Sequence, residues 1–266
     1  MKIEFSKYEG AGNDFVIIDN REGIFSPAPA TVAALCDRRF GIGADGLMLL
    51  ENDGETSFRM RYFNSDGPEA TMCGNGGRCI SLFAVHAGAA GENMSFDAVD
   101  GRHTATLLSR GDNDGIVSLG MTDASEIVPL LDGYFVDTGS PHYVRFVQSV
   151  DEIDVFTEGR RIRNLPEIVA RGGANINFVE RTGDSLRIRT YERGVEDETL
   201  ACGTGSVAAA ITAAYTDRNG RNSYAVVTRG GGLTVTFDFR NGRYTNIKLT
   251  GPARRTFTGC FDTENF

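Results

Sequence analysis

Short segments in which apolar and polar residues alternate make up much of the chain. Phe58, Met60 and Tyr62 alternate with polar residues, and residues 233–239 repeat the pattern. Successive side chains of a strand point to opposite faces, so this period of two predicts half-buried β-strands. Sequences typical of tight turns separate such segments and predict hairpins, and therefore antiparallel sheets, at residues 53–54, 111–115, 182–184 and 241–242.

Helical periodicity occurs in a few segments, of which residues 31–39 are one. Apolar side chains recur at helical spacing over residues 79–87, and Gly88 would end that helix. Residues 207–214 are apolar on nearly all sides, so we expect this helix to be buried inside a sheet. The pattern predicts an α+β protein in which sheets wrap around central helices.

Several features occur twice, in the same order and at similar spacing. Residues 59–62 read Arg-Met-Arg-Tyr, and residues 187–190 read Arg-Ile-Arg-Thr. Residues 12–16 resemble residues 139–144 if one insertion is allowed. Such repetition predicts a duplicated domain, with two pseudo-symmetric lobes that each form a mainly antiparallel sheet around a central helix.

The length of 266 residues accommodates two domains of about 130 residues each. We place the N-terminal lobe at residues 1–119 and the C-terminal lobe at residues 120–255. Residues 256–266 are a segment that can return to the first lobe.

Charge and cysteine content narrow the class of protein. The net charge of −9 argues against a nucleic-acid partner, and no apolar run is long enough to span a membrane. The first residues lack the apolar stretch of a signal peptide. The five cysteines have no regular spacing, which argues against a disulfide framework. We therefore expect a reduced, cytoplasmic protein.

Two of the cysteines precede glycine-rich helix starts. Cys73 opens Cys-Gly-Asn-Gly, and Cys202 opens Cys-Gly-Thr-Gly. The N–H groups and dipole at a helix start favour a thiolate and also bind a carboxylate. Two such thiols in two similar halves suggest an acid/base pair that removes a proton from one face of a carbon and returns one to the other. The result would be racemisation or epimerisation.

Other signals are weaker. Pyridoxal phosphate would need a lysine, but Lys2, Lys7 and Lys248 lack a phosphate-binding context, so we expect no cofactor. Residues 41–46 match G-x-G-x-x-G without the strand before and helix after that a dinucleotide site requires. The histidines are scattered, so no metal site is predicted. His86 is expected to complement the C-terminal dipole of its helix.

Alternative roles for the thiols follow from their chemistry. Cys36, Cys79 and Cys260 are expected to be small buried packing residues. Facing thiols could instead form a redox disulfide, although no Cys-x-x-Cys accompanies them. A module that captures an amino acid without turnover would explain the anion sites but not the paired thiols.

Seven stretches across the chain resemble the diaminopimelate epimerase family, whose members interconvert L,L- and meso-diaminopimelate without a cofactor. The matching stretches run in the family's order at residues 12–15, 63–67, 73–76, 141–142, 174–178, 191–194 and 201–205. The resemblance implies a two-lobed fold, an isomerase of lysine and cell-wall precursor biosynthesis, and a small amino-acid substrate.

The resemblance also implies roles for individual residues. Cys73 and Cys202 would be the catalytic acid/base pair. The reacting carboxylate would be bound by the backbone N–H groups of four residues: Gly74, Asn75, Gly203 and Thr204. The distal end of the substrate would be held by Asn13, Asn64, Asn175 and Arg193, where an arginine fork suits a carboxylate. Glu192 and His142 would lie close to the thiols or the substrate.

Two positions depart from the family pattern. The family often has glutamine where this chain has Gly46, and usually has asparagine where this chain has Ser140. Both changes shorten a polar side chain, which leaves a related epimerase or racemase of proline, hydroxyproline or glutamate as the alternative. We expect no membrane partner, and a homodimer is the default oligomer.

Overall fold

The computed structural model describes residues 1–124 and 126–266, which form two compact units. Unit 1 comprises Met1–Leu119 and Gly251–Phe266, and unit 2 comprises Gly120–Thr250. Across residues 1–124 and 126–266, none of the helices has both the length and the apolar character needed to cross a membrane.

Unit 1 is a β-barrel built around one helix. Its strands are β1 (Lys2–Gly10), β2 (Asn13–Asp19), β3 (Gly46–Glu51), β4 (Phe58–Asn64), β5 (Glu69–Ala70), β6 (Asn93–Ala98), β7 (Gly101–Arg110), β8 (Asp114–Gly120) and the second half of β17 (Arg243–Asp262). Neighbouring strands are antiparallel except for the parallel pairs β2–β3 and β4–β6. Strand β17 pairs with both β1 and β8, which closes the barrel.

Helix α2 (Gly74–His86) lies inside this barrel, and every residue from Gly74 to Val85 is buried. It packs against β1, β2, β3 and β7. The apolar stripe over residues 79–87 predicted only its second half. The first turn is rich in glycine, which disfavours a helix on its own, so packing inside the barrel supplies the stability.

Unit 2 repeats this design. Its strands are β9 (Ile127–Leu130), β10 (Gly133–Asp137), β11 (Pro141–Val147), β12 (Asn175–Thr182), β13 (Ser185–Glu192), β14 (Asp197–Thr199), β15 (Ser223–Thr228), β16 (Gly231–Arg240) and the first half of β17. The parallel pairs are β11–β12 and β13–β15. Strand β9 pairs with β10, and Tyr244 of β17 forms an isolated bridge with Ala124.

The central helix of unit 2 is α5 (Gly203–Asp217). It packs against β10, β11, β12, β13, β15 and β16, and its residues from Gly205 to Ala213 are buried. Its small side chains, mostly alanine, allow strands to surround it on all sides. The prediction of a buried helix at residues 207–214 is confirmed, and the helix extends beyond that segment at both ends.

The remaining helices lie in the connections between parallel strands. Helix α1 (Pro29–Cys36) joins β2 to β3 and buries Val32 and Leu35 against the apolar face of β2 and β3. Helices α3 (Val155–Arg163) and α4 (Pro166–Val169) join β11 to β12 and bury Ile162 and Ile168 in the corresponding way. The predicted fold class is confirmed, since both units have the same order of strands around a central helix.

Strand β17 accounts for a difference from the sequence-based boundary. The sequence placed residues 251–255 in the C-terminal lobe, but the structure places them in unit 1. Residues 251–254 pair with β8 of that unit. The boundary at which the chain returns to unit 1 is therefore Gly251, five residues before the predicted residue 256. Strand β17 is continuous across this boundary.

His86 and the other three cysteines also had predicted roles. His86 lies in the last turn of α2, as predicted, while burial and the nearby Arg255 and Arg110 lower its pKa and so oppose the predicted charge. Its Nδ1 lies 2.6 Å from the Tyr8 hydroxyl. Cys260 is exposed rather than buried. Cys36 and Cys79 are buried as predicted, and burial raises the pKa of the Cys36 thiol to about 12.

Candidate active site

The first cysteine turn (residues 73–76) begins helix α2. Cys73 is the N-cap residue, and its Sγ accepts a hydrogen bond from the Gly76 N–H at 3.2 Å. The turn is closely packed, since a Cβ at Gly76 would lie 2.6 Å from Cε of Met48 and 3.3 Å from the sulfur. A larger residue at position 76 would have to displace the end of the Met48 side chain, and glycine avoids that adjustment.

A fully buried arginine supports this turn. The Arg78 guanidinium donates to the Gly74 carbonyl at 3.0 Å, to the Asn75 Oδ1 at 2.9 Å and to the Pro252 carbonyl at 3.3 Å. All three acceptors are uncharged. Burial lowers the pKa of Arg78, whereas the nearby Cys79, Cys73 and Glu9 raise it. The first turn is thus held by a buried positive charge.

A second network continues from Asn75 to the edge of the barrel. Asn75 donates to the Asn13 Oδ1, and Asn13 donates to Asp45 at 2.9 Å. Arg38 bridges Asp45 and Asp14 at 2.7 and 2.6 Å. Burial alone would raise the pKa of Asp14, but hydrogen bonds from Arg38 and Lys7 lower it overall. The Asn13 amide is therefore oriented by charged neighbours.

Asn64 and Gly46 lie opposite each other where β4 ends and β3 begins. The Asn64 side chain is exposed. A Cβ at Gly46 would lie 2.5 Å from both the Phe63 carbonyl oxygen and the Tyr62 ring. The space that a longer residue would need at position 46 is taken by Tyr62, so this departure from the family pattern is built into the local packing.

The second cysteine turn (residues 202–205) begins helix α5. Cys202 is the buried N-cap residue, and its Sγ lies 3.5 Å from the Thr204 Oγ1. A Cβ at Gly205 would lie 2.6 Å from the Asn177 Oδ1 and 3.3 Å from the sulfur. This glycine, like Gly76, permits close approach at the helix start.

Uncharged side chains support the second turn. The Nε2 of His142 lies 2.9 Å from the Thr204 Oγ1, and its Nδ1 lies 3.0 Å from the Asn177 Nδ2. Burial lowers the pKa of His142 to about 3, and the positive charge of Arg193 adds to that shift. His142 is therefore a neutral imidazole at physiological pH.

The other predicted residues of unit 2 lie at the same strand ends. Asn175 donates to the Ser140 hydroxyl at 3.0 Å and accepts from the Arg193 backbone N–H at 2.8 Å. The Arg193 side chain is exposed and donates to the Gly172 carbonyl at 3.1 Å. Glu192 accepts a hydrogen bond from Thr199 at 2.8 Å. Ser140 thus fixes the orientation of the Asn175 amide.

Comparison with known proteins identifies the family. The profile described as "Diaminopimelate epimerase" matches residues 5–126 and 134–256. The chain belongs to the diaminopimelate epimerase family. The diaminopimelate epimerase of Flavobacterium psychrophilum is 49% identical over 258 residues, which cover 96% of this chain and 98% of that protein. The enzyme of Chlorobaculum tepidum is 45% identical, covering 94% and 98%. The protein is therefore an isomerase, and membership of this family makes it an epimerase.

Solved structures of low identity share the fold. A phenazine biosynthesis protein of the PhzF family from Bacillus anthracis superposes with a TM-score of 0.74 at 15% identity, covering 98% of this chain and 99% of that one. A probable proline racemase from Agrobacterium radiobacter superposes with a TM-score of 0.72 at 11% identity, covering 99% and 94%. At such identities the likeness shows the fold alone.

Three residues that support the turns of this diaminopimelate epimerase family member were not predicted. Asn177 and Thr190 are paired across β12 and β13, and the Thr190 hydroxyl donates to the Asn177 Oδ1 at 3.0 Å. The sequence did contain a signal for Asn177. Asn175 and Asn177 are two residues apart in an apolar strand, so both amides lie on the same face. Arg78 offered a weaker signal, a single charge on an otherwise apolar helix.

The three lysines of this family member are either engaged in an ion pair or exposed. Lys7 is buried, donates to the Gly43 carbonyl and pairs with Asp14 at 2.7 Å, while Lys2 and Lys248 are exposed on strands. Within residues 1–124 and 126–266, no group of three or more His, Cys, Asp or Glu side chains could hold a metal ion. The residues that the turns offer to a substrate are thiols, amides and backbone N–H groups.

Proposed function

We propose that the protein interconverts L,L- and meso-diaminopimelate by inverting one Cα without a cofactor, with Cys73 and Cys202 as the acid/base pair. The observation that carries this proposal is the recurrence of one element in both units. In each, a cysteine is the N-cap of the central helix and is followed by Gly-x-Gly. Family membership supplies the substrate class.

The proposed reaction is a pair of proton transfers. One cysteine reacts as a thiolate and takes the Cα proton, and the electron pair of the C–H bond moves toward the carboxylate. The other cysteine, as a thiol, gives its proton to the opposite face of the carbon. The carbon is inverted, no net oxidation occurs, and the two thiols have exchanged protonation states.

Backbone N–H groups at the two helix starts would stabilise the carboxylate as it gains enediolate character. The donors we assign are those of Gly74, Asn75, Gly203 and Thr204. One preorganised donor of this kind typically contributes on the order of 100- to 1,000-fold in rate. The helix termini also favour the thiolate over the thiol.

We assign binding of the distal amino-acid end to Asn13, Asn64, Asn175 and Arg193. A diaminopimelate has a second carboxylate and a second amino group there, which amides and a guanidinium can recognise together. Glu192 and His142 would serve as polar neighbours of the substrate or thiols. The orientation of Asn13 by Asp45 and of Asn175 by Ser140 favours a fixed set of donors and acceptors.

Gly46 and Ser140 support the alternative of a related amino acid. Both shorten a polar side chain relative to the family, and proteins of the same fold are described as a probable proline racemase and a hydroxyproline epimerase. Proline, hydroxyproline or glutamate would then replace diaminopimelate. A thiol redox protein is the remote alternative and would require a reversible Cys73–Cys202 disulfide.

The biological setting follows from the substrate. We propose a role in lysine biosynthesis and in making a cell-wall precursor, in the cytoplasm. The only partner this requires is the small-molecule substrate, and a homodimer remains the default oligomer.

Incubation of the reduced enzyme with L,L-diaminopimelate in D₂O tests the proposal. NMR should show deuterium entering at one Cα together with the meso product. Parallel incubations with proline, hydroxyproline and glutamate form the comparison. Exchange confined to one of these would select the alternative, and failure of every substrate to exchange would refute the epimerase proposal.

A further inference from the structure

Side chains behind the second cysteine turn form a continuous hydrogen-bonded series. It runs from Thr190 through Asn177, His142 and Thr204 to the sulfur of Cys202. Successive contacts measure 3.0, 3.0, 2.9 and 3.5 Å. Thr190, Asn177 and His142 are buried, so water does not compete for these contacts.

The direction of this series is set at Asn177. Its Nδ2 faces the carbonyl oxygens of Tyr143 and Asn175 at 3.1 and 3.3 Å, and a carbonyl oxygen can only accept. Its Oδ1 accepts from the Thr190 hydroxyl. An amide nitrogen cannot accept a hydrogen bond, so a protonated Nδ1 would face a donor. We infer that Nδ1 is an unprotonated acceptor that shares the two amide hydrogens with these carbonyl oxygens.

The proton of the neutral imidazole consequently resides on Nε2. That nitrogen donates to the Thr204 Oγ1, while Asn175 Nδ2, at 3.5 Å, is itself a donor and cannot accept. Thr204 has a single hydroxyl hydrogen, and its oxygen is already occupied as an acceptor. The hydrogen is available to donate to Cys202 Sγ, which lies 3.5 Å away.

We propose that Thr190, Asn177 and His142 are positioning residues that orient the Thr204 hydroxyl as a hydrogen-bond donor to Cys202, so that this cysteine is held as the thiolate in the resting enzyme. The inference rests on the proposed role of Cys202 as one of the acid/base pair. It assigns His142 to the support of the second turn through Thr204 rather than to direct proton transfer.

Charged groups near this series are few. Arg193, at the end of β13, adds positive charge that opposes protonation of His142. Glu192 precedes it on the same strand and accepts from Thr199. The residues that hydrogen-bond to the series from β11 and β12 are Tyr143 and Asn175, and both contribute an uncharged carbonyl. Thr138, just after β10, donates to the Thr204 carbonyl and is also uncharged.

Two measurements on the full-length enzyme without substrate test the proposal. The first is the tautomer of His142 by ¹⁵N NMR, assigned by its loss in His142→Gln. We expect Nε2 to be protonated and Nδ1 unprotonated across pH 6 to 8. A proton on Nδ1 would reverse the donor-to-acceptor direction of the hydrogen bonds and overturn the proposal. This measurement does not depend on a Thr204 variant.

The second measurement is the pH midpoint of iodoacetamide alkylation at Cys202, read by peptide mass spectrometry, with Cys73 in the same sample as a control. Thr204→Val removes the hydroxyl and should raise the Cys202 midpoint by about one pH unit, because a hydrogen bond to a charged group is lost. Thr204→Ser keeps the hydroxyl and should restore it, and Cys73 should not shift. An unchanged Cys202 midpoint in Thr204→Val would refute the proposal.

These outcomes are separable from the epimerase proposal. A Thr204-dependent midpoint in an enzyme that exchanges no deuterium into any amino acid would retain the oriented hydroxyl and reject the epimerase. Deuterium exchange into an amino acid together with a Cys202 midpoint that is unchanged in Thr204→Val would reject only the oriented hydroxyl.

Discussion

The two cysteine turns share a backbone but differ in what supports them. Behind the first lies Arg78, a buried cation, connected through Asn75 and Asn13 to the carboxylates of Asp45 and Asp14. Behind the second lie neutral hydroxyl, amide and imidazole groups. Duplication has therefore preserved the helix start and the glycines, which fix geometry, while the electrostatic support has diverged. The two thiols, which the proposed mechanism requires in opposite protonation states, therefore have different surroundings.

Removal of either thiol gives the largest expected effect. Cys73→Ala and Cys202→Ala should each reduce kcat by about 1,000-fold or more, because general acid–base groups contribute on this scale. The matched control is Cys260→Ala, since that thiol is exposed on β17. Turnover assays on all three variants test whether activity depends equally on the two cysteine turns. Near-normal activity in either active-site variant would contradict the two-thiol mechanism.

Removal of the buried cation should distinguish the first turn from the second. Arg78→Met removes the guanidinium hydrogen bonds to the Gly74 carbonyl, the Asn75 Oδ1 and the Pro252 carbonyl, so the free energy of unfolding should fall by about 3 kcal/mol. Arg78→Lys keeps the charge and should lose less. Urea denaturation measures both. Equal stability of Arg78→Met and the parent would show that the guanidinium is dispensable.

Adding a side chain opposite Asn64 tests the packing at the start of β3. Gly46→Ala should lower the free energy of unfolding by about 2 kcal/mol, because the new Cβ overlaps the Phe63 carbonyl and the Tyr62 ring. Gly54→Ala is the matched control, since a Cβ there meets no heavy atom within 4 Å. Similar urea midpoints for the two variants would contradict this account of Gly46.

The neutral imidazole of the second turn predicts a smaller, pH-dependent effect. Unfolded His142 takes up a proton near its ordinary pKa of about 6.5, whereas the folded pKa is about 3. Acid therefore favours unfolding: the contribution is complete above pH 6.5 and is lost as the pH falls toward 3. Its slope should approach about 1.4 kcal/mol per pH unit below pH 6. Urea denaturation from pH 7 to 4 should show this slope in the parent and its loss in His142→Gln, while equal slopes would reject a neutral buried His142.

Local patterns in the sequence predicted the strands, the buried helix α5 and the duplication, because period, turn residues and repeated landmarks are local properties. The helix start at Gly74 was not apparent from periodicity, since its glycines are stabilised by the surrounding barrel. The contacts of Arg78, Asn177 and Thr190 depend on residues from different strands. From the sequence, Gly46 was interpreted only as a shortened polar side chain, whereas in the structure the Tyr62 ring occupies the space that a side chain at position 46 would need. The fit between Gly46 and Tyr62 depends on tertiary packing, which local sequence patterns do not report.

The path of β17 bears on how a protein of this kind could arise. Its second half closes the barrel that begins at Met1, while β9, the last strand of a first repeat counted from β1 to β9, joins the barrel of unit 2. Each repeat thus contributes its last strand to the barrel of the other. A single-repeat ancestor of this topology would complete its sheet only by exchanging that strand with a second copy. Fusion of two genes would then place both exchanged strands in one chain. A fragment of residues 1–119 should accordingly refold only when a peptide of residues 251–266 is added, as circular dichroism would reveal.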